Sequence, residues 1–150
     1  MIHFTLPPRD QRRKGLFESV VAELGAPVTP AAYLKLRRRA AGLSVAQLAA
    51  RIAPEVERSA EAVDLLYVLE TPGCRARHRA TIETIATVLP MDPDVYFQLA
   101  DEPAERHPHV CRGCGCSAFD PCCGSRGVCG WTDTGLCSRC DGPAIDTGRR

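Results

Sequence analysis

Eight of the chain's nine cysteines fall between Cys111 and Cys140, and only Cys74 lies outside that stretch. Cys111-Arg112-Gly113-Cys114 and Cys137-Ser138-Arg139-Cys140 are C-x2-C hooks separated by 22 residues. Each hook holds two thiolates on one tight turn, and two hooks supply the four sulfurs that Zn²⁺ takes in a tetrahedral site, with Zn–S near ~2.3 Å. Gly113 and Gly115 suit the backbone angles of such knuckles. Cys116, Cys122, Cys123 and Cys129 lie inside the frame and suffice for a second four-ligand site. Adjacent cysteines seldom both ligate one metal comfortably, which leaves the choice among these four open.

One zinc site is therefore expected, with a second open. Four cysteine ligands leave no position for a reactive water, so the metal is expected to be structural. An iron–sulfur cluster is the chemical alternative, since four thiolates also suit iron. Too few residues separate Cys111 from Cys140 to bury a core, so metal binding, typically ~10–16 kcal/mol for structural zinc, is expected to supply most of the module's folding free energy. His107 and His109 are substitute donors, but both are expected to be solvated. Trp131 is expected to pack over the knuckle, with base stacking as the alternative.

Dense cysteine reads as disulfides in a secreted chain and as a metal site in a cytoplasmic one. The N-terminal stretch has no uninterrupted apolar region or small-residue cleavage site, so the metal reading and a cytoplasmic location are expected. Catalysis has little to work with. The histidines are His3, His78, His107 and His109, and no phosphate-binding glycine loop, paired-acid motif or nucleophile elbow is present, so no enzymatic activity is expected. The hooks also lack the βαβ context of thiol oxidoreductases.

The elements that must position these groups follow from composition and periodicity. The 150 residues are 45% hydrophobic and 25% charged, with a net charge of +1, so any basic site must be local. No apolar run reaches the ~18 residues that span a bilayer, since Glu18 and Glu23 interrupt Leu16 to Leu24, and no membrane partner is expected. Residues 1–28 read as an arm followed by a short helix whose Leu16, Phe17, Val20, Val21 and Leu24 form one face, a surface for the next domain or for a second copy.

Residues 29–100 read as a five-helix unit. Thr29-Pro30 starts the first helix, which ends at Gly42, and Ser44 with Gln47 forms a capping box for the second, whose Val45, Leu48, Ala49 and Ile52 make an apolar stripe. Ser59 is placed as the cap of a third helix, through about Glu70, that buries Ala62, Leu65, Leu66 and Leu69. Ile82, Ile85, Ala86 and Leu89 mark a fourth, and Asp92-Pro93 opens a fifth carrying Val95, Tyr96, Phe97 and Leu99. Residues 101–110 read as a linker, 111–140 as the metal module with little regular structure, and 141–150 as a disordered tail.

The run from Tyr33 to Ala49, with its basic first helix, Gly42-Leu43-Ser44 turn and Gln47-Leu48-Ala49 opening, resembles the Cro/CI-type (XRE) helix-turn-helix family over about residues 31–100. The resemblance implies an all-α, lambda-repressor-like domain whose third helix enters the major groove, DNA as partner and, as in many such repressors, a homodimer. Two departures stand out. Pro54-Glu55-Val56-Glu57-Arg58 lengthens the connection before the third helix, and that helix shows Glu61 and Asp64 with no Arg, Lys, Asn or Gln. Phosphate contacts are therefore expected from Arg37, Arg38 and Arg39 and from Arg75, Arg77 and Arg79, with His78 beside them. The cysteine pattern, including Cys129-Gly130-Trp131, resembles a short zinc module of phage and mobile-element proteins in which Cys123 has no counterpart.

The resulting expectation is a DNA-associated transcriptional regulator whose zinc module serves dimerisation, a protein partner or further DNA contact. The alternative is a protein–protein interaction adaptor that keeps the helical scaffold without reading DNA.

Overall fold

A computed structural model describes residues 26–124 and 127–142. The helix expected from Leu16, nearly all of the N-terminal arm and the tail from 143 lie outside them. The described chain is mostly helical: α1 (Pro30–Ala40), α2 (Val45–Ile52), α3 (Val56–Leu69), α4 (Arg79–Ala86) and α5 (Pro93–Asp101), then a 3₁₀ turn at Ala104–Arg106 and a two-residue hairpin of β1 (Cys123–Gly124) and β2 (Gly127–Val128). The hairpin is antiparallel, pairing Cys123 with Val128 and Gly124 with Gly127. No helix among the described residues is long and apolar enough to cross a membrane.

Local chemistry explains most boundaries. Thr29 Oγ1 accepts from the Ala32 amide at 3.2 Å and Pro30 fills the first helical position, where its missing N–H costs nothing. The chain leaves α1 through Gly42, whose φ of +69° a side chain would resist. Ser44 and Gln47 form the expected capping box, Gln47 N donating to Ser44 Oγ at 3.1 Å and Ser44 N to Gln47 Oε1 at 2.8 Å. Asp92 caps α5 by accepting from the Asp94 amide at 2.8 Å.

α3 departs from the expected boundary. It starts at Val56, so Ser59 lies inside the helix and caps nothing, while Glu55 occupies the cap position without a side-chain hydrogen bond. Nothing after Pro54 breaks a helix, and Glu57 in the first turn favours the positive end of the helix dipole. Residues 56–58, read as a longer connection, are thus the first turn of α3. Leu65, expected in the core, is 43% exposed, because Ala62, Leu66 and Leu69 already fill the inward face.

The core joins all five helices through Tyr33, Leu34, Leu48, Leu66, Leu69, Ile82, Ile85, Leu89, Val95 and Tyr96. Val110, placed in the linker by sequence, is buried in the same cluster and bridges to Ser117. A second cluster, made almost wholly of cysteines, forms the interior of the C-terminal module.

Candidate metal centre

The knuckle folds around its first cysteine. Gly115 N donates to Cys111 O at 2.8 Å, Cys111 N donates to Cys116 O at 2.8 Å, and Cys137 N donates to Cys111 Sγ at 3.2 Å, so the second hook is oriented on the first. Gly115 holds φ +76°, and a Cβ there would stand 3.0 Å from both Leu36 and Arg37 on α1. A Cβ at Gly113 would fall 2.9 Å from Cys140 Sγ. Close approach requires both glycines, and at Gly115 the left-handed turn geometry requires one as well.

Two groups of four sulfurs have all members within 4.8 Å of one another: Cys111, Cys114, Cys116 and Cys137, and Cys116, Cys122, Cys129 and Cys137. Either group could hold a metal ion. The expected quartet of the two hooks is placed differently: Cys116 joins Cys111, Cys114 and Cys137, while Cys140 packs at the edge of the cluster. All nine cysteines are free thiols. Cys123 is exposed, with its thiol facing the Pro121 carbonyl. Cys74 lies in the helical unit.

Proton affinities in the cluster diverge. Burial pushes the Cys114 thiol above the ordinary value and the Cys116 and Cys140 thiols well above it, and burial together with the neighbouring Cys114 thiol pushes Cys122 up to about 12. Burial also acts on Cys137, but the amides of Cys140 and Arg139 and the thiols of Cys116 and Cys114 outweigh it and hold Cys137 at about 6. Cys137 is therefore the cluster's ready thiolate at neutral pH, while its neighbours must surrender protons to bind a metal.

Neither histidine joins a sulfur group. His107 Nε2 lies 2.8 Å from the Glu102 carbonyl oxygen, and His109 stacks on Trp131 with ring centroids 4.0 Å apart and planes 19° from parallel. Trp131, expected over the knuckle, covers His109 and so pins the connection to the module.

The arginines expected to meet phosphate divide into three groups. Arg37 and Arg38 are buried and spent on internal partners, which corrects their assignment as DNA contacts. Arg37 Nε donates to the Pro90 carbonyl at 2.6 Å and lies 3.4 Å from Asp120. Arg38 forms a bidentate pair with Glu70 at 2.5 and 2.6 Å and donates to the Leu43 carbonyl at 2.8 Å. Arg75 pairs with Asp101, and Arg79 with Glu83 and Asp94, all on exposed surface. Arg39 and Arg77 are exposed and have no side-chain partner among the described residues.

Sequence reasoning missed Asp120. Its Oδ1 accepts from Ser117 N at 2.9 Å and from Ser117 Oγ, while its Oδ2 accepts from Tyr33 Oη at 2.8 Å. Tyr33 Oη in turn accepts from Asp92 N at 2.9 Å, and its burial raises the phenol pKa, so it remains a neutral donor to the carboxylate. Ser117-Ala118-Phe119-Asp120 is a Ser-x-x-Asp turn, the one local signal that could have singled it out. Arg58 was also missed as a helix residue, because it lay in the stretch taken for a connection.

No family model matches the chain, and neither the curated proteins nor the solved structures contain a match.

Proposed function

We propose that this chain is a DNA-associated transcriptional regulator of helix-turn-helix type, with its cysteine module held together by structural zinc. The observation that carries the reading is the pair α2 and α3. α2 opens on a capping box, Ala53-Pro54-Glu55 forms the turn, and α3 packs on α2 with its whole first turn, Val56, Glu57 and Arg58, facing solvent. In such motifs the N-terminal residues of the second helix reach base edges, while the rest of that helix lies farther from the groove. The early start of α3 puts Arg58 in that first turn, a donor for base or phosphate that a helix beginning at Ser59 would lack.

Phosphate contacts then fall to Arg39, Arg51, Arg58 and Arg77, all exposed. Arg58 has only a loose pair with Glu55 at 3.9 Å. Four such contacts predict a slope of about −3 to −4 for log K against log salt, since each neutralised phosphate contributes ~−0.9. Fluorescence anisotropy with random and defined duplexes across ~50–200 mM salt tests this. Arg58→Ala should weaken binding and shallow the slope by about one, and salt-independent or absent binding by the metal-loaded protein sinks the reading.

One observation favours the adaptor as a second reading. α3 exposes Leu65, Tyr67 and Val68 beside Glu61 and Asp64, and a groove lined by Ile52, Leu65, Thr81 and Thr84 runs next to them. An apolar and acidic face suits a basic amphipathic protein segment better than a phosphate backbone. Leu65→Ser with Val68→Ser would leave DNA binding intact under the first reading and abolish function under the second.

A further inference from the structure

The two four-sulfur groups are not separate. Both contain Cys116 and Cys137. Two independent tetrahedral sites would need eight sulfurs, whereas the cysteine cluster contains seven: Cys111, Cys114, Cys116, Cys122, Cys129, Cys137 and Cys140. Cys123 cannot supply the eighth, being exposed with its thiol against a backbone carbonyl. Two four-sulfur sites can occupy this module only by sharing sulfur.

The distances agree with sharing. A tetrahedron with metal–sulfur bonds of ~2.3 Å has edges of ~3.8 Å. Cys114 and Cys137 stand 3.7 Å apart in the first group, and Cys116 and Cys129 stand 3.7 Å apart in the second. Cys114 of the first group also lies 3.2 Å from Cys122 of the second, so the two groups form one contiguous body of sulfur. Sharing also lowers the charge problem. Six thiolates around two divalent ions concentrate less negative charge in a buried pocket than eight would, and unpaired buried charge is costly.

We propose that the module holds a binuclear metal–thiolate cluster, in which Cys116 and Cys137 bridge two divalent ions, Cys111 and Cys114 complete one, and Cys122 and Cys129 complete the other. Each sulfur binds as thiolate and releases its proton to solvent. Zinc is the ion whose four-sulfur tetrahedra best match this set. Cys140 ligates neither ion. Its amide supports Cys137 and its side chain packs against Gly113. The inference rests on the metal reading of the module and is independent of the DNA reading.

The full chain, loaded with zinc and weighed by native mass spectrometry, should retain two ions. Exchanged with cadmium-113, it should give two NMR resonances that split one another through the shared sulfurs. Cys129→Ser should lose one ion, the double variant Cys116→Ser with Cys137→Ser should lose the mutual splitting, and Cys140→Ser should keep both ions and the splitting. The wild-type cadmium spectrum does not depend on any variant folding. One ion at saturation, two resonances without mutual splitting, stoichiometric inorganic sulfide, or loss of an ion in Cys140→Ser overturns the bridged cluster. A chain that binds no metal at all overturns the metal reading with it.

Discussion

At the scale of single residues, burial decides what each charge is for. The side chains of Arg38 and Glu70 are only 10% and 7% exposed and meet in a bidentate pair, and their hydrogen bond raises the guanidinium's hold on its proton. Glu70→Ala would strand a buried cation and should cost ~3–5 kcal/mol of stability, read by chemical denaturation, whereas removing an exposed partner such as Asp101 should cost less than ~1 kcal/mol. The cysteines follow the same logic. Cys122 holds its proton to about 12 and Cys137 loses its own near 6, so at pH 7 most of the metal-free cluster is protonated. Metal entry must therefore expel protons. Apparent metal affinity should climb as pH rises through neutrality and fall as it drops, and titration calorimetry in buffers of different ionisation enthalpy should register net proton release. An affinity flat from pH 6 to 8 would contradict this. The hooks were legible from spacing alone, but the sharing of Cys116 and Cys137 was not, because spacing fixes neighbours on a turn and says nothing of which turns meet.

At the scale of elements, short-range rules carried well wherever they involve residues three or four apart. The Thr29, Ser44 and Asp92 caps and the stripes of α2, α4 and α5 are all present as the sequence predicts. Ser44→Ala should cost ~1 kcal/mol by orphaning the Gln47 amide, measured as a shift in the denaturation midpoint without a change in slope. α3 is where local rules misled. Ser59 looks like a cap, but a cap is useful only where the preceding residues cannot be helical, and Glu55 to Arg58 can. That four-residue shift of the cap, from Ser59 to Glu55, moves Arg58 from a loop into a helix. Arg37 and Arg38 misled in the opposite direction: a basic run reads as surface until Asp120 and Glu70, distant in sequence, are brought beside it.

At the scale of the whole molecule, the helical unit and the module are joined by a polar dock. Tyr33 and Arg37 on α1 hold Asp120, Gly115 lies flat against Leu36 and Arg37, and Arg112 donates to the Ala26 carbonyl at 2.7 Å. Tyr33→Phe removes two hydrogen bonds, the one accepted from Asp92 N and the one donated to Asp120 Oδ2, and leaves the Asp92 amide without its partner, so it should destabilise by ~1–3 kcal/mol. Chelation should abolish protection from hydrogen exchange in 111–140 while the five-helix core, with its own apolar cluster, stays folded. Simultaneous loss of both units would show the helical core to depend on the metal. The sequence split the chain at 101–110 because Pro103, Pro108 and the lack of apolar spacing look like a tether. It could not show that Val110 is a core residue or that Asp120 reaches back to α1.

Asp120 sits between Cys116 and Cys122, so one short loop carries both sulfur donors and the dock. The consequence is for inheritance by recombination. A cysteine module grafted onto a foreign helical domain would arrive with a carboxylate seeking a tyrosine and an arginine it no longer faces. A helical domain separated from its module would be left with a guanidinium buried for a partner that has gone. Positions 33, 37 and 120 meet across that dock, so a crossover anywhere in the ten residues after α5, however much they resemble a seam, parts the carboxylate from its partners.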